Sequence, residues 1–167
     1  MCRRTFLIAC LLAAHLHTDA LAGGRARCSL RNITTQMYME RAIEGAMRRL
    51  ETPGCQQLLG EFADPSGVAL RERLDRTNLT ALEFMATLHF LDGSDMAQCR
   101  SRTDLAAFTA PGNRVIFVCG TQFAASFADK PKAAEILIIH EVLHAVGLGE
   151  NPPSSAEITA RVTRRCA

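Results

Sequence analysis

Tryptophan is absent from this chain of 167 residues, tyrosine occurs once, at Tyr38, and aromatic residues make up only 5% of it. A surface that binds single-stranded nucleic acid needs aromatic platforms, and one that tracks a phosphate backbone needs concentrated positive charge. Neither is present: the formal net charge is +2, and lysine is confined to Lys130 and Lys132. Nucleic acid is therefore not an expected partner, and the same balance gives no electrostatic reason to hold an anionic membrane surface. The longest apolar run, Phe6 to Leu16, falls short of the roughly 20 residues that a membrane-spanning helix needs. Internal repeats and low-complexity tracts are missing as well. No methionine follows Met96, and of the histidines only His89, His140 and His144 lie beyond residue 17.

Residues 1 to 22 read as an export leader. Arg3 and Arg4 form its positive start, Phe6 to Leu16 its apolar core, and Ala20-Leu21-Ala22 a small-residue cleavage site that frees Gly23. Leu7-Ile8-Ala9-Cys10 also matches a bacterial lipidation box, but the apolar region runs on beyond Cys10 and leaves too little ahead of it. The expectation is a secreted or periplasmic protein, free of the membrane after leader removal. Residues 23 to 167 then form one domain and a monomer. Losing Arg3, Arg4 and Asp19 takes one unit off the net charge.

The cysteines left are Cys28, Cys55, Cys99, Cys119 and Cys166, an odd set for an oxidising compartment. Two disulfides and one spare thiol are expected. Cys99 and Cys119 flank a segment that can fold back on itself, Cys166 can tie a C-terminal helix to Cys55, and Cys28 is left over in a flexible lead-in spanning Gly23 to Asn32.

The chemistry concentrates in His140-Glu141-Val142-Leu143-His144, continued by Ala145-Val146-Gly147-Leu148-Gly149-Glu150. On a helix the two histidines lie about 40° apart around the axis, so both imidazoles can meet one metal ion. Glu141 is one step round from His140, placed to hydrogen-bond a metal-bound water and take its proton. Ile136 to Ile139, Val142, Leu143, Ala145 and Val146 make this helix apolar on every side, and such a helix is buried. Two imidazoles and a carboxylate in those surroundings lose several kcal/mol of hydration unless they find partners, and a divalent cation satisfies all three. The plain alternative is a chance match whose histidines hydrogen-bond within the core.

A catalytic zinc takes three protein ligands, so a third is needed. Glu150 is preferred, because a chain turning back at Gly147 returns its side chain to the metal. Glu157 competes, although the sequence Ser154-Ser155-Ala156-Glu157 gives it a capping-box role and Arg161 a salt-bridge partner. His89, on an expected strand, is the remaining candidate.

This pattern, HExxHxxGxxE, resembles the extended motif of the metzincin clan of zinc metallopeptidases, with an acidic residue where most members carry a third histidine. The resemblance implies that His140 and His144 bind zinc, that Glu141 is the general base and that Gly147 makes the turn. It also implies a twisted sheet packed on the active-site helix. The clan's methionine-containing turn downstream of the motif has no counterpart here. The segment from Gly147 to Thr159 is also similar to small exported bacterial proteins. The fold expected is α+β: a small twisted sheet against a buried HExxH helix, stabilised by disulfides. The function expected is that of a secreted zinc metallopeptidase acting on peptide or protein substrates. Two other classes stand beside it, an exported zinc-binding or protein-binding module with a silent or structural site, and an extracellular domain with no metal.

Around the motif, periodicity predicts an amphipathic helix from Thr34 or Thr35 to Glu51 and a short helix from Cys55 to Phe62. Asp64-Pro65-Ser66-Gly67 reads as a turn, and Arg71, Arg73 and Arg76 with Glu72 and Asp75 as a solvated face. Ala86 to Leu91 and Arg114 to Cys119 read as a strand pair with an edge open to an extended peptide. Residues 121 to 130 read as a connection, with Asp129 the candidate cap and Pro131 in the first turn of the motif helix. Gly149 is expected to supply the positive φ that ends that helix, ahead of a last helix from Ile158 to Arg165.

Overall fold

In the computed structural model, which describes Gly24 and residues 26 to 167, the elements run β1 (Arg27–Ser29), α1 (Ile33–Leu50), α2 (Pro53–Glu61), α3 (Leu70–Asp75), α4 (Ala81–Ala86), β2 (His89–Asp92), α5 (Ala97–Ser101), β3 (Ala107–Phe108), β4 (Val115–Val118), α6 (Gly120–Asp129), α7 (Pro131–Val146) and α8 (Ser155–Cys166). The class is α+β, as the sequence implies. The leader and its cleavage site fall outside the described residues.

Helices begin where short polar side chains satisfy free backbone N–H groups. Asn32 accepts from Thr35 at 3.0 Å to start α1, Thr52 caps α2 ahead of Pro53, and Thr80 and Ser154 form capping boxes with Glu83 and Glu157. Every residue from Ile138 to Leu148 is buried. Here α7 is wrapped by α1, α6, α8 and α3 and lies across β3 and β4. An apolar run of that width has no other stable place.

The sheet is mixed, in the order β1-β2-β4-β3. β1, β2 and β4 are parallel, in register His89↔Val115 and Arg27↔His89, and β3 is antiparallel to β4 through Ala107↔Val118 and Phe108↔Phe117. Several expectations are corrected here. The lead-in contains a strand, β1. Ala86 ends α4 and the strand starts at His89. Neither member of the expected strand pair has a free edge, since β2 lies between β1 and β4, and β4 between β2 and β3; the open edge beside α7 belongs to β3. Residues 120 to 129 are helical, and α7 is preceded by Lys130, whose side chain makes no capping bond, with Asp129 closing α6. The sequence signal of this helix is weak, because Phe123 is its only buried residue.

Cys55 bonds Cys166 and Cys99 bonds Cys119, leaving Cys28 as the free thiol, now on β1. The first bond ties α8 to α2. Arg49 of α1 joins the same corner, donating to the Cys166 carbonyl at 2.6 Å and pairing with Glu135 of α7 at 2.6 Å.

Candidate metal centre

His140 and His144 stand one turn apart on α7, their ring centroids 4.8 Å apart and their Nε2 atoms 3.0 Å apart. What turns them toward each other is the partner on the far side of each ring. His144 Nδ1 lies 2.7 Å from the Leu148 carbonyl. A carbonyl can only accept, so Nδ1 carries the hydrogen, and in the neutral ring Nε2 keeps its lone pair. His140 Nδ1 lies 3.0 Å from Thr159 Oγ1 on α8.

Leu148 reaches His144 because the chain reverses at Gly147, whose φ is 136°. The helix stop thus falls two residues before Gly149. The Leu148 N–H returns to the Leu143 carbonyl at 3.0 Å. Arg73 locks this reversal: its Nε donates to the Val146 carbonyl at 3.0 Å and its Nη1 to Asp64 at 2.6 Å. A Cβ on Gly147 would lie 2.6 Å from that Nε, so glycine is required by space as well as by φ. Arg73, its side chain still 39% exposed, thus adds tertiary contacts to the solvated face expected of it. The Val68 N–H, followed by the Arg73 guanidinium, holds the Asp64 carboxyl below the usual carboxylate range.

Beyond the turn, Glu150 Oε1 comes to 3.4 Å from His144 Nε2 and 3.6 Å from His140 Nε2. One ligand atom from each of the three residues lies within 4.8 Å of the other two. Of the three candidates for a third ligand, the structure thus brings Glu150 to the histidines. It leaves Glu157 in its capping box with Ser154, and His89 on β2.

Glu141 is 4% exposed, and its Oε2 is the one buried side-chain oxygen or nitrogen without a hydrogen-bond partner among the described residues. Burial, helped by the Glu150 charge and opposed by the Thr109 N–H, pushes its carboxyl up to about 8. Burial, then the His144 ring, lowers His140 to about 4 against the pull of Glu150. His140 is thus poised as a neutral ligand. A divalent cation beside them would use both Nε2 lone pairs and favour the ionised form of Glu141, which fits the donor set present.

The group opens into a cavity of about 540 Å³. Its walls include Leu105 to Thr109 around β3, Arg102 and Asp104 before it, Ser126 of α6, and Ser155 and Thr159 of α8. Arg102 is the cation in this lining and pairs with Asp104 at 3.1 Å. Tyr38 stacks on Phe127 at 4.7 Å between α1 and α6 and does not line the cavity. Sequence reasoning missed Thr159, Thr109, Arg102 and the Leu148 carbonyl, which reach the site only through the docking of α8, β3 and the Gly147 turn. A backbone carbonyl carries no sequence signal at all. Comparison of the chain with models of known families, with curated proteins and with solved structures finds no match.

Proposed function

We propose that this chain is a zinc-dependent hydrolase of peptide bonds, a secreted metallopeptidase of the zincin type, with His140, His144 and Glu150 as zinc ligands and Glu141 as proton acceptor. The observation that supports this most is the meeting, in one open cavity, of three ligand atoms within 4.8 Å and a buried carboxylate oxygen with no partner. Two imidazoles and a carboxylate are a ligand set used by catalytic zinc, which supplies a Lewis acid that polarises a carbonyl and acidifies water. Glu141 would take a proton from the attacking water and return it to the leaving amine. The open edge of β3, which lines the cavity, can hold an extended peptide by backbone hydrogen bonds. The two disulfides accord with an oxidising, extracellular setting.

A closed structural site with Glu157 as fourth ligand has less support, because Glu157 Oε2 already accepts from the Ser154 N–H and hydroxyl, each at 2.8 Å. The test measures zinc content, melting temperature and hydrolysis of casein and a broad peptide library. Wild type is expected to hold about one zinc. Glu141→Gln should keep zinc and fold but lose at least about 100-fold in turnover, and His144→Ala should lose the metal. A zinc-loaded wild type that cleaves nothing, with Glu141→Gln indistinguishable from it, would end the peptidase reading.

A further inference from the structure

The Nε2 atoms of His140 and His144 face each other at 3.0 Å, too close for two uncompensated lone pairs. A proton or a cation has to lie between them. His144 cannot supply the proton, since the Leu148 carbonyl at 2.7 Å holds its only N–H on the other side of the ring. The choice therefore falls to His140, and the group at its Nδ1 is the Thr159 hydroxyl, 3.0 Å away. A hydroxyl can donate or accept. If it donates, His140 carries Nε2–H, points it at His144 and closes the pair to a metal. If it accepts, His140 carries Nδ1–H and both Nε2 lone pairs are free.

We propose that Thr159 is the positioning residue of this site, accepting the Nδ1–H of His140 and so committing its Nε2 to a metal ion. The inference rests on the metal reading given above. Thr159 is well placed for it, because α8 is fixed independently of the site. Ile158 and Val162 are buried, Cys166 is bonded to Cys55, and the Arg161 guanidinium lies 5.0 Å over the Phe62 ring and donates to the Glu61 carbonyl at 3.3 Å. The Thr159 side chain itself lies on the cavity wall and is exposed, so its replacement need not disturb the core.

In Thr159→Val a methyl takes the place of the hydroxyl and offers His140 Nδ1 no acceptor. Among the described residues, the shortest contact then left to the His140 ring nitrogens is Nε2–H to His144 at 3.0 Å, the arrangement closed to metal. Zn²⁺ affinity, measured on the full mature chain by chelator competition, should fall about 10- to 100-fold, the range seen when the outer partner of a ligating histidine is removed. Thr159→Ser should stay within about 3-fold of wild type. The visible absorption of bound Co²⁺ should change in the valine variant and be retained in the serine one, and the metal-free melting temperature should be the same in all three.

Failure of wild type to bind Zn²⁺ or Co²⁺ would overturn the metal reading, and this inference with it. Wild type and Thr159→Val binding alike, with the same Co²⁺ spectrum, would overturn the role of Thr159 alone. So would a serine variant as weak as the valine one, or a valine variant whose metal-free fold melts lower by as much as its binding declines.

Discussion

Glu135 and Glu141 sit on the same helix, less than two turns apart, and meet opposite treatment. Glu135 is 18% exposed and has the Arg49 guanidinium at 2.6 Å, which in turn holds the Cys166 carbonyl at 2.6 Å. Its carboxylate lies so close to α1 that a Cβ on Gly45 would collide with it. Glu141 is more deeply buried, has no ion pair among the described residues, and keeps one oxygen without a partner. A fold that supplies an arginine, a glycine and a disulfide-anchored carbonyl around one carboxylate does not lack the means to satisfy another. The half of α7 that joins α1 to the C-terminus is built for stability. The half that ends at Gly147 leaves one buried oxygen, Glu141 Oε2, without a hydrogen-bond partner among the described residues.

The largest expected effect comes from making the first region like the second. Arg49→Met keeps most of the apolar stem but strips Glu135 and the Cys166 carbonyl of their donor. Breaking a buried pair costs 3 to 5 kcal/mol, and the partial exposure here brings the expected loss of unfolding free energy to about 2 to 3 kcal/mol. Adding Glu135→Gln should recover part of it by removing the unpaired charge. Urea unfolding of both variants gives the answer. A loss below about 0.5 kcal/mol would mean that Glu135 was never dependent on its partner, and the contrast with Glu141 would collapse.

A smaller effect, but a more diagnostic one, is the pH dependence of the metal-free protein. The Glu141 carboxyl is raised to about 8, so its folded form holds a proton that the unfolded chain has released above about 4.5; stability falls as pH rises through that window. His140 is lowered to about 4, so between there and about 6.5 unfolding takes up a proton and stability rises with pH. The two slopes oppose each other up to about pH 6.5. Above it Glu141 acts alone, and the metal-free protein should lose on the order of 1 to 2 kcal/mol between about pH 6.5 and 8. Glu141→Gln should abolish that decline. A decline that survives the substitution would have another origin, and Glu141 would not be the unsatisfied acid described above.

How much of this contrast was legible in the sequence follows from where each interaction is encoded. The buried helix, its two histidines and Glu141 are local in sequence, and 3.6-residue periodicity places them without knowledge of the fold. The count of two disulfides and one spare thiol follows from five cysteines, but which cysteines pair is a tertiary fact that the sequence can only suggest. Glu150 could be placed because Gly147 forces a reversal within six residues of His144. Arg49 with Glu135, Arg73 with Asp64, and His140 with Thr159 are tertiary pairs. Nothing in the run Arg71 to Arg76 distinguishes the arginine that caps α7 from Arg71, which bonds the Gln56 carbonyl, or from exposed Arg76. β1 and β3, at three and two residues, are too short for alternation to register, so the open edge was assigned to the wrong strands.

The smallest expected effect concerns Glu150 and Glu157, where the same contrast recurs across the turn after α7. Glu157 is satisfied locally: its Oε2 takes two hydrogen bonds from Ser154, and these interactions hold its carboxyl below the usual range. Glu150 has a side chain 41% exposed, directed at the two histidines. Both are acids within reach of the motif in sequence, and either could have been the third ligand. Glu157→Ala should therefore lower the melting temperature slightly, through the loss of a capping interaction, and leave zinc content untouched. Glu150→Ala should do the reverse, leaving the metal-free melting temperature nearly unchanged while weakening zinc retention, because an exposed carboxylate contributes little to the fold but would complete the proposed ligand set. Melting with and without zinc, together with metal content after dialysis, separates the two. A Glu157→Ala variant that sheds zinc while Glu150→Ala keeps it would exchange their roles, and the turn at Gly147 would then serve the fold and not the metal.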